Sequence, residues 1–90
     1  MYDEFLRLFV VANTPSAATA ISYAKKLCEE LLDNQWHLEI IDVVEQPEQA
    51  DQNMISAVPA LLCPKNCRRV VGDLSNFDAV ITALGLQETP

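Results

Sequence analysis

The segment FVVANTPSAATAI, residues 9–21, joins an apolar run to an amphipathic pattern through Asn13-Thr14-Pro15. The apolar run starts at Phe5 and is rich in aromatic and β-branched residues, which is typical of a strand covered on both faces of a sheet. Asn13 or Thr14 can cap a helix, and Pro15 suits the first helical turn because its missing N–H would be unpaired there. The segment therefore predicts a strand, Phe5 to Val11, that passes directly into a helix.

The residues that follow carry one apolar stripe with the period of an α-helix. Its members recur at intervals of three and four residues: Ala17, Ala20, Ile21, Ala24, Leu27, Cys28, Leu31 and Leu32. Asp33-Asn34 is predicted to end this helix, and the run Trp36 to Val44 is predicted to be a second strand. Because crossovers of the type strand–helix–strand are right-handed, the two strands should be parallel.

The second half of the chain predicts a short helix, a hairpin and a last helix. Glu45 to Ile55 reads as a turn followed by a short polar helix. Ala57 to Cys63 and Arg68 to Gly72 are strands separated by a tight turn, which indicates an antiparallel hairpin. Asp73 or Ser75 is predicted to cap a last helix, whose inward side chains are Phe77, Val80, Ile81 and Leu84.

This order of elements, βαβαββα, is that of the thioredoxin-like α/β fold, and it fills a single domain over residues 1–90. Val58-Pro59 lies just before the third strand, where that fold holds a cis proline facing the first helix. An X–Pro bond adopts the cis form at a cost of about 0.5–1 kcal/mol, so the turn is feasible. The sequence is therefore compatible with a cis Pro59 but does not fix its isomer.

The thiols that redox proteins of this fold place at the start of the first helix are replaced here by Thr14-Pro15-Ser16-Ala17. A hydroxyl is not ionised near neutral pH and cannot cycle through a disulfide, so this helix start does not support thiol exchange. Cys28 lies on the inward stripe and reads as a small core residue. Cys63 and Cys67 bracket a turn, and three interpretations stay open: ordinary turn residues, a redox-sensitive pair, or two ligands of an incomplete metal site.

Other patterns for chemistry are weak in this sequence. His37 is the only histidine, and no serine or cysteine is placed to form a triad with it. Asp42 and Asp73 have no carboxylate partner by spacing, and the only glycines, Gly72 and Gly85, do not form a phosphate-binding loop. We therefore predict no catalytic residue, no bound metal and no cofactor. The sequence indicates a binding domain built on the scaffold of an enzyme.

Composition and charge indicate which classes of partner and which cellular compartment to expect. The chain has 90 residues, of which 50% are hydrophobic, and 13 acidic against 6 basic residues give a net charge of −7. This charge disfavours nucleic acids and anionic membranes, and it favours a partner with a basic surface. The acidic start of the chain and the absence of a long apolar run predict neither a signal peptide nor a membrane span. We expect a cytoplasmic protein with free thiols.

Three blocks of the chain resemble the KaiB family of circadian clock proteins. They read LFVVANTPSAATAI, LEIIDVVEQPEQADQNMISAVPALL and RRVVGDLSNFDAVITALGL, and together they cover nearly the whole chain from Phe5 to Leu86. The resemblance implies a protein without catalytic activity. Such a protein binds the N-terminal ring of the hexameric ATPase KaiC and helps to recruit KaiA.

The resemblance also implies a metamorphic protein, with a tetrameric fold and a thioredoxin-like monomer that binds KaiC. The switch remodels the chain from about Glu48 onward and involves proline isomerisation, which draws attention to Pro59 and Pro64. Thr14 and Pro15 belong to the retained helix start. The turn between the third and fourth strands looks shorter than in clock members and has one proline, which indicates a less elaborate switch.

The end of the last helix departs from the clock pattern. Clock members read Gly-Leu-Asp where this chain has Ala83-Leu84-Gly85. Alanine stabilises a helix over glycine by about 0.8–1 kcal/mol, which is a useful bias between two folds that differ by a few kcal/mol. We therefore predict that this protein rests in the thioredoxin-like form.

The docking edge of the family implies a set of partner-binding residues: His37, Glu39, Glu48, Asp51 and Gln52. Glu39 stands where clock members often carry a basic residue, which favours a divergent KaiC-type partner, in timing or in stress adaptation. Two alternatives stay open. One is a detached sensor domain that binds a histidine kinase or another signalling protein, and the other is a degenerate thiol oxidoreductase that uses Cys63 or Cys67. The resemblance also implies a KaiA-like protein as a further partner, and the sequence leaves monomer, dimer and tetramer open.

Overall fold

The computed structural model describes residues 5–31 and 36–86. Within them, four strands form one sheet in the order β2-β1-β3-β4. β1 and β2 are parallel, whereas β3 pairs antiparallel with both β1 and β4. The strands are β1 (Phe5–Val10), β2 (His37–Asp42), β3 (Ala60–Cys63) and β4 (Arg68–Val71).

The helices complete the predicted order. They are α1 (Pro15–Lys26), which continues into a π-helical turn at Leu27–Leu31, α2 (Pro47–Gln52) and α3 (Phe77–Leu84). The prediction of a thioredoxin-like α/β fold is confirmed. The predicted end of the first helix at Asp33-Asn34 lies outside the described residues.

The larger core lies between one face of the sheet and the helices α1 and α3. It contains Leu6, Leu8, Val10 and Leu61 from the strands, with Ala17, Ala20, Ala24, Val80 and Leu84 from the helices. Cys28 is buried in the same cluster, as the stripe predicted. Burial of a large aliphatic side chain stabilises the fold by about 1.5–3 kcal/mol, so this layer anchors both helices.

The opposite face of the sheet carries a smaller core made by Phe9, Ile41, Ala60 and Leu62. Ile55, just after α2, packs against this cluster. The guanidinium Nη1 of Arg69 in β4 also donates to the carbonyl oxygens of Asn53 and Met54, both at 2.8 Å. These contacts hold the carboxyl end of α2 over this face.

Several strands are shorter than predicted, for local reasons. β2 ends at Asp42 because its Oδ1 accepts a hydrogen bond from the Val44 N–H at 3.0 Å, which turns the chain out of the sheet. β3 begins at Ala60, and the prediction of Ala57 was wrong because Pro59 has no N–H to donate to the ladder. β4 stops before Gly72, whose φ is 99°.

The predicted cap of the last helix was wrong. Asn76 caps α3, with its Oδ1 accepting from the Ala79 N–H at 3.1 Å. Asp73 lies three residues before this cap, in a turn where its carboxylate accepts from the backbone N–H and the hydroxyl of Ser75, at 2.9 and 3.0 Å. The hydroxyl of Ser75 is thereby engaged with Asp73 as well.

The end of α3 is tied to the β3–β4 turn. Gly85 ends the helix with a left-handed φ of 70°, and Asn66 Nδ2 donates to the carbonyl oxygen of Leu84 at 2.8 Å. A Cβ added at Gly85 would lie 3.2 Å from Asn66 Nδ2. Gly85 therefore provides both the backbone conformation and the space that the hydrogen bond from Asn66 to Leu84 needs.

We expect Gly85→Ala to lower the free energy of unfolding by about 1–2 kcal/mol, because alanine is strained in this conformation. The displaced Asn66 side chain should add to the loss. Urea unfolding of Gly85→Ala, Asn66→Ala and the double variant measures this coupling. The loss of unfolding free energy in the double variant should be smaller than the sum of the two single losses by at least about 0.5 kcal/mol. Strict additivity would show that Asn66 and Gly85 are not coupled.

Candidate functional site

The start of α1 is a closed helix cap. Thr14 Oγ1 accepts from the Ala17 N–H at 3.1 Å and donates to the carbonyl oxygen of Val11 at 2.7 Å. Thr14 thus caps the helix and Pro15 occupies its first turn, which confirms the prediction for both residues. The Thr14 hydroxyl, which stands where redox proteins of this fold have a thiol, is therefore engaged in two hydrogen bonds with the backbone.

Pro59 faces this helix start. The Val58–Pro59 peptide bond is cis, the isomer that this fold holds before its third strand. The carbonyl oxygen of Pro59 accepts from the Gly72 N–H at 2.8 Å, which connects the loop before β3 to the loop after β4. Pro59 also borders the same cavity as Ser16 and Ala17 of α1. The loop before β3 and the first turn of α1 therefore form one surface.

The three cysteines are free thiols in different surroundings. Cys28 and Cys63 are buried, whereas Cys67 is exposed in the β3–β4 turn. Burial raises the pKa of Cys28 to about 11, and the neighbouring Glu29 carboxylate acts in the same direction. No disulfide joins Cys63 and Cys67, and nothing in the described residues supports the thiol-enzyme alternative.

We expect a thiol reagent such as dithionitrobenzoate to modify one thiol per chain rapidly at pH 8, and that thiol is Cys67. Cys63 is buried, and Cys28 is both buried and protonated at that pH, so both should react at least about 100-fold more slowly. The variant Cys67→Ser is the control and should show no rapid phase. A rapid phase that persists in Cys67→Ser would contradict the burial of Cys28 or Cys63.

The predicted partner-binding residues of β2 lie at an edge of the sheet. His37 and Glu39 are exposed, and they share one face of the sheet because they are two positions apart on the strand. Glu39 is paired in register with Arg7 of β1, and Arg7 Nε donates to Glu39 Oε1 at 2.8 Å. Arg7 also lies 5.2 Å from the centre of the Phe5 ring. The charge of Glu39 is therefore partly balanced, which the sequence pattern did not indicate.

The predicted residues of α2 lie on the same side of the sheet. Glu48, Asp51 and Gln52 are all exposed. The contacts of Ile55 and Arg69 hold the end of α2 over the face that carries Glu39. The structure thus brings the two predicted groups to one side of the molecule. Their role in binding a partner stays a prediction.

The residues predicted to act in fold switching lie in two places. Pro64 directly follows β3 in the hairpin turn. Ala83 is exposed near the end of α3, and Gly85 is its carboxyl cap. Pro64 and Gly85 therefore belong to the region where the turn and the helix end meet. A role of these residues in a second fold also stays a prediction.

Residues 5–31 and 36–86 contain no helix that is long and apolar enough to cross a membrane. The same residues hold no group of three or more histidine, cysteine, aspartate or glutamate side chains arranged to hold a metal ion.

Comparison with known proteins gives the family. A sequence profile of the KaiB domain matches residues 7–86. The chain is 38% identical over 87 residues to the circadian clock protein KaiB3 of Synechocystis sp., which covers 94% of this chain and 83% of the relative. It is 36% identical over 83 residues to the circadian clock oscillator protein KaiB of Prochlorococcus marinus, with 90% and 78% covered. The oscillator protein KaiB1 of Synechocystis sp. is 34% identical over 83 residues, with 90% and 79% covered. These matches span most of both chains and confirm the resemblance: this chain belongs to the KaiB family.

Proposed function

We propose that this chain is a non-catalytic regulator that binds a KaiC-type hexameric ATPase in the cytoplasm, in circadian timing or in stress adaptation. The observation that carries the proposal is the match to the KaiB domain over residues 7–86. The cap at Thr14 supports it, because redox proteins of this fold have a thiol at this helix start, whereas here a threonine hydroxyl accepts from the Ala17 N–H.

The exposed side formed by β2 and α2 is the proposed partner surface. Glu39 forms a salt bridge with Arg7. Glu48 and Asp51 form no salt bridge within the described residues, so their negative charges are not balanced by a neighbouring cation. A partner that meets this side should therefore present basic residues opposite α2. Replacement of Asp51 tests this more directly than replacement of Glu39, because the Arg7 pair stays intact.

Gel filtration of the chain with the KaiC-type ATPase of the same organism, in ATP or in ADP, tests the proposal. We expect co-elution with the hexamer. Asp51→Lys should weaken binding at least about tenfold, which corresponds to about 1.4 kcal/mol. Asp78→Lys makes the same charge change on α3, which covers the opposite face of the sheet, and should change binding less than about twofold.

The absence of co-elution with both nucleotides would contradict the proposal. Binding to a histidine kinase in place of the ATPase would favour the alternative of a detached sensor domain. Equal losses in Asp51→Lys and Asp78→Lys would keep the ATPase as the partner but move its contact surface away from α2.

A further inference from the structure

An apolar groove crosses the molecule between α1 and α2. A cavity of 320 Å³ lies among Val11, Ala17 and Val58. A second cavity of 260 Å³ lies among Val43, Ile55 and Val58. Val58 borders both cavities, and we call the two neighbouring cavities together the Val58 groove. Val58 itself is 37% exposed, so its side chain is accessible to a ligand in either cavity.

The topology places this groove at one end of the sheet. β1 and β2 are parallel, so Val10 and Asp42 finish at the same end. Ala60, the first residue of β3, pairs with Phe9 and with Val71 near the end of β4. The loops that follow β1, β2 and β4 and the loop that precedes β3 therefore meet at this end.

The floor of the groove offers unpaired backbone. Ser56, Ala57 and Val58 lie between α2 and β3, outside any helix or strand, and all are exposed. Their N–H and C=O groups make no hydrogen bond to another described residue. Exposed backbone beside an apolar depression can pair with an extended chain, while the depression accepts its side chains.

The residues that line the two cavities of the groove include one carboxylate, that of Asp51, and no lysine or arginine. No lysine or arginine occurs between Lys26 and Lys65, or after Arg69. Asp51 borders the cavity beside α2. Asp73 borders a further cavity beyond Pro59, and hydrogen bonds from Ser75 lower the pKa of its carboxyl. A carboxylate therefore borders the groove beside α2 and another lies beyond Pro59, while the nearby Arg69 guanidinium is engaged by the carbonyl oxygens of Asn53 and Met54.

We propose that the Val58 groove binds an extended, basic segment of a partner protein. Small aliphatic side chains at the centre of the segment contact Val58, and its main chain pairs with the backbone of Ala57 and Val58. Lysine or arginine residues that flank this centre lie opposite Asp51 and Asp73. Nucleic acids and anionic lipids are repelled by the same carboxylates, which leaves a protein segment as the occupant.

Peptide titration followed by ¹⁵N NMR tests this inference on the full chain. The probe is an acetylated and amidated peptide, Lys-Lys-Val-Val-Val-Lys-Lys, and the matched peptide has glutamate in place of every lysine. We expect the lysine peptide to shift the amide signals of Ser16, Ala57 and Val58 in a saturable way. The glutamate peptide should leave these signals in place at the same concentration.

Two variants identify the site. Val58→Lys should weaken binding of the lysine peptide at least tenfold, because it adds a cation at the centre of the groove. Met54→Lys is the matched control, since Met54 is 79% exposed and borders neither cavity of the groove, and it should change binding less than twofold. Asp51→Asn and Asp73→Asn should each weaken binding several-fold and reduce its dependence on salt.

Three results would overturn the inference: shifts confined to signals outside the groove, equal binding of the two peptides, or unchanged binding by a folded Val58→Lys variant. The assay contains no ATPase. Failure of co-elution with the ATPase and failure of peptide binding are therefore separate results, and either proposal can stand without the other.

Discussion

The variant Phe9→Ala is expected to lower the free energy of unfolding by about 3–5 kcal/mol. Phe9 is fully buried and is the largest member of the smaller core, where it packs with Ile41, Ala60 and Leu62. A short helix and a loop cover this core, so few side chains can move in to fill the cavity. A domain of this size is stabilised by only about 5–15 kcal/mol in total, so the loss is a large fraction of its stability.

The local consequence of Phe9→Ala should appear after α2. The Ile55 N–H donates to the carbonyl oxygen of Ala50 at 2.8 Å, and Ile55 packs on the cluster that the substitution weakens. Urea unfolding measures the global loss, and hydrogen exchange of the Ile55 amide measures the release of this segment. Phe9→Leu keeps most of the apolar volume and should cost roughly 1 kcal/mol. Equal losses in the two variants would contradict the packing of this core.

The sequence predicted the fold well where local signals agreed with each other. The segment from Phe9 to Ile21 combined a strand pattern, a capping residue and a proline in the first turn, and the structure has all three. The order of elements also placed Pro59 just before β3, whereas its cis isomer was left open by the sequence. Signals that reinforce each other over a few residues do not depend on distant packing.

The choice of cap for α3 could not be made from the sequence. Asp73, Ser75 and Asn76 all have side-chain oxygen atoms that can accept from a helix N–H. The outcome depends on the turn in which Ser75 bonds to Asp73, and this leaves Asn76 to accept from the Ala79 N–H. When three suitable residues lie within four positions, the local sequence does not determine which of them caps the helix.

Contacts between residues that are distant in the chain also could not be predicted from the sequence. Arg7 and Glu39 meet because of the register between β1 and β2, and Arg69 reaches Asn53 only once α2 crosses the sheet. The Val58 groove likewise needs the loops after β1 and β2 to meet the loop before β3. The assignment of His37, Glu39, Glu48, Asp51 and Gln52 as partner-binding residues came from the family resemblance and not from their spacing, and it stays a prediction.

The variant Leu84→Ala is expected to lower the free energy of unfolding by about 2–5 kcal/mol. Leu84 is fully buried in the larger core and is the last residue of α3. Its carbonyl oxygen accepts from Asn66, so its side chain and its backbone hold the helix to two different parts of the fold. Urea unfolding should show a lower midpoint with an unchanged slope, because the native state stays compact.

Ala83→Gly is the matched control for Leu84→Ala, because Ala83 is the neighbouring residue and is exposed. It alters helix propensity without creating a cavity, so the expected loss is about 0.8–1 kcal/mol. NMR spectra of both variants distinguish simple unfolding from the second fold that the family resemblance implies. A second folded set of signals for residues after Glu48, stronger in Leu84→Ala, would show that α3 packing selects the thioredoxin-like state. A loss in Leu84→Ala no larger than that in Ala83→Gly would contradict the burial of Leu84 and the anchoring of α3 by this side chain.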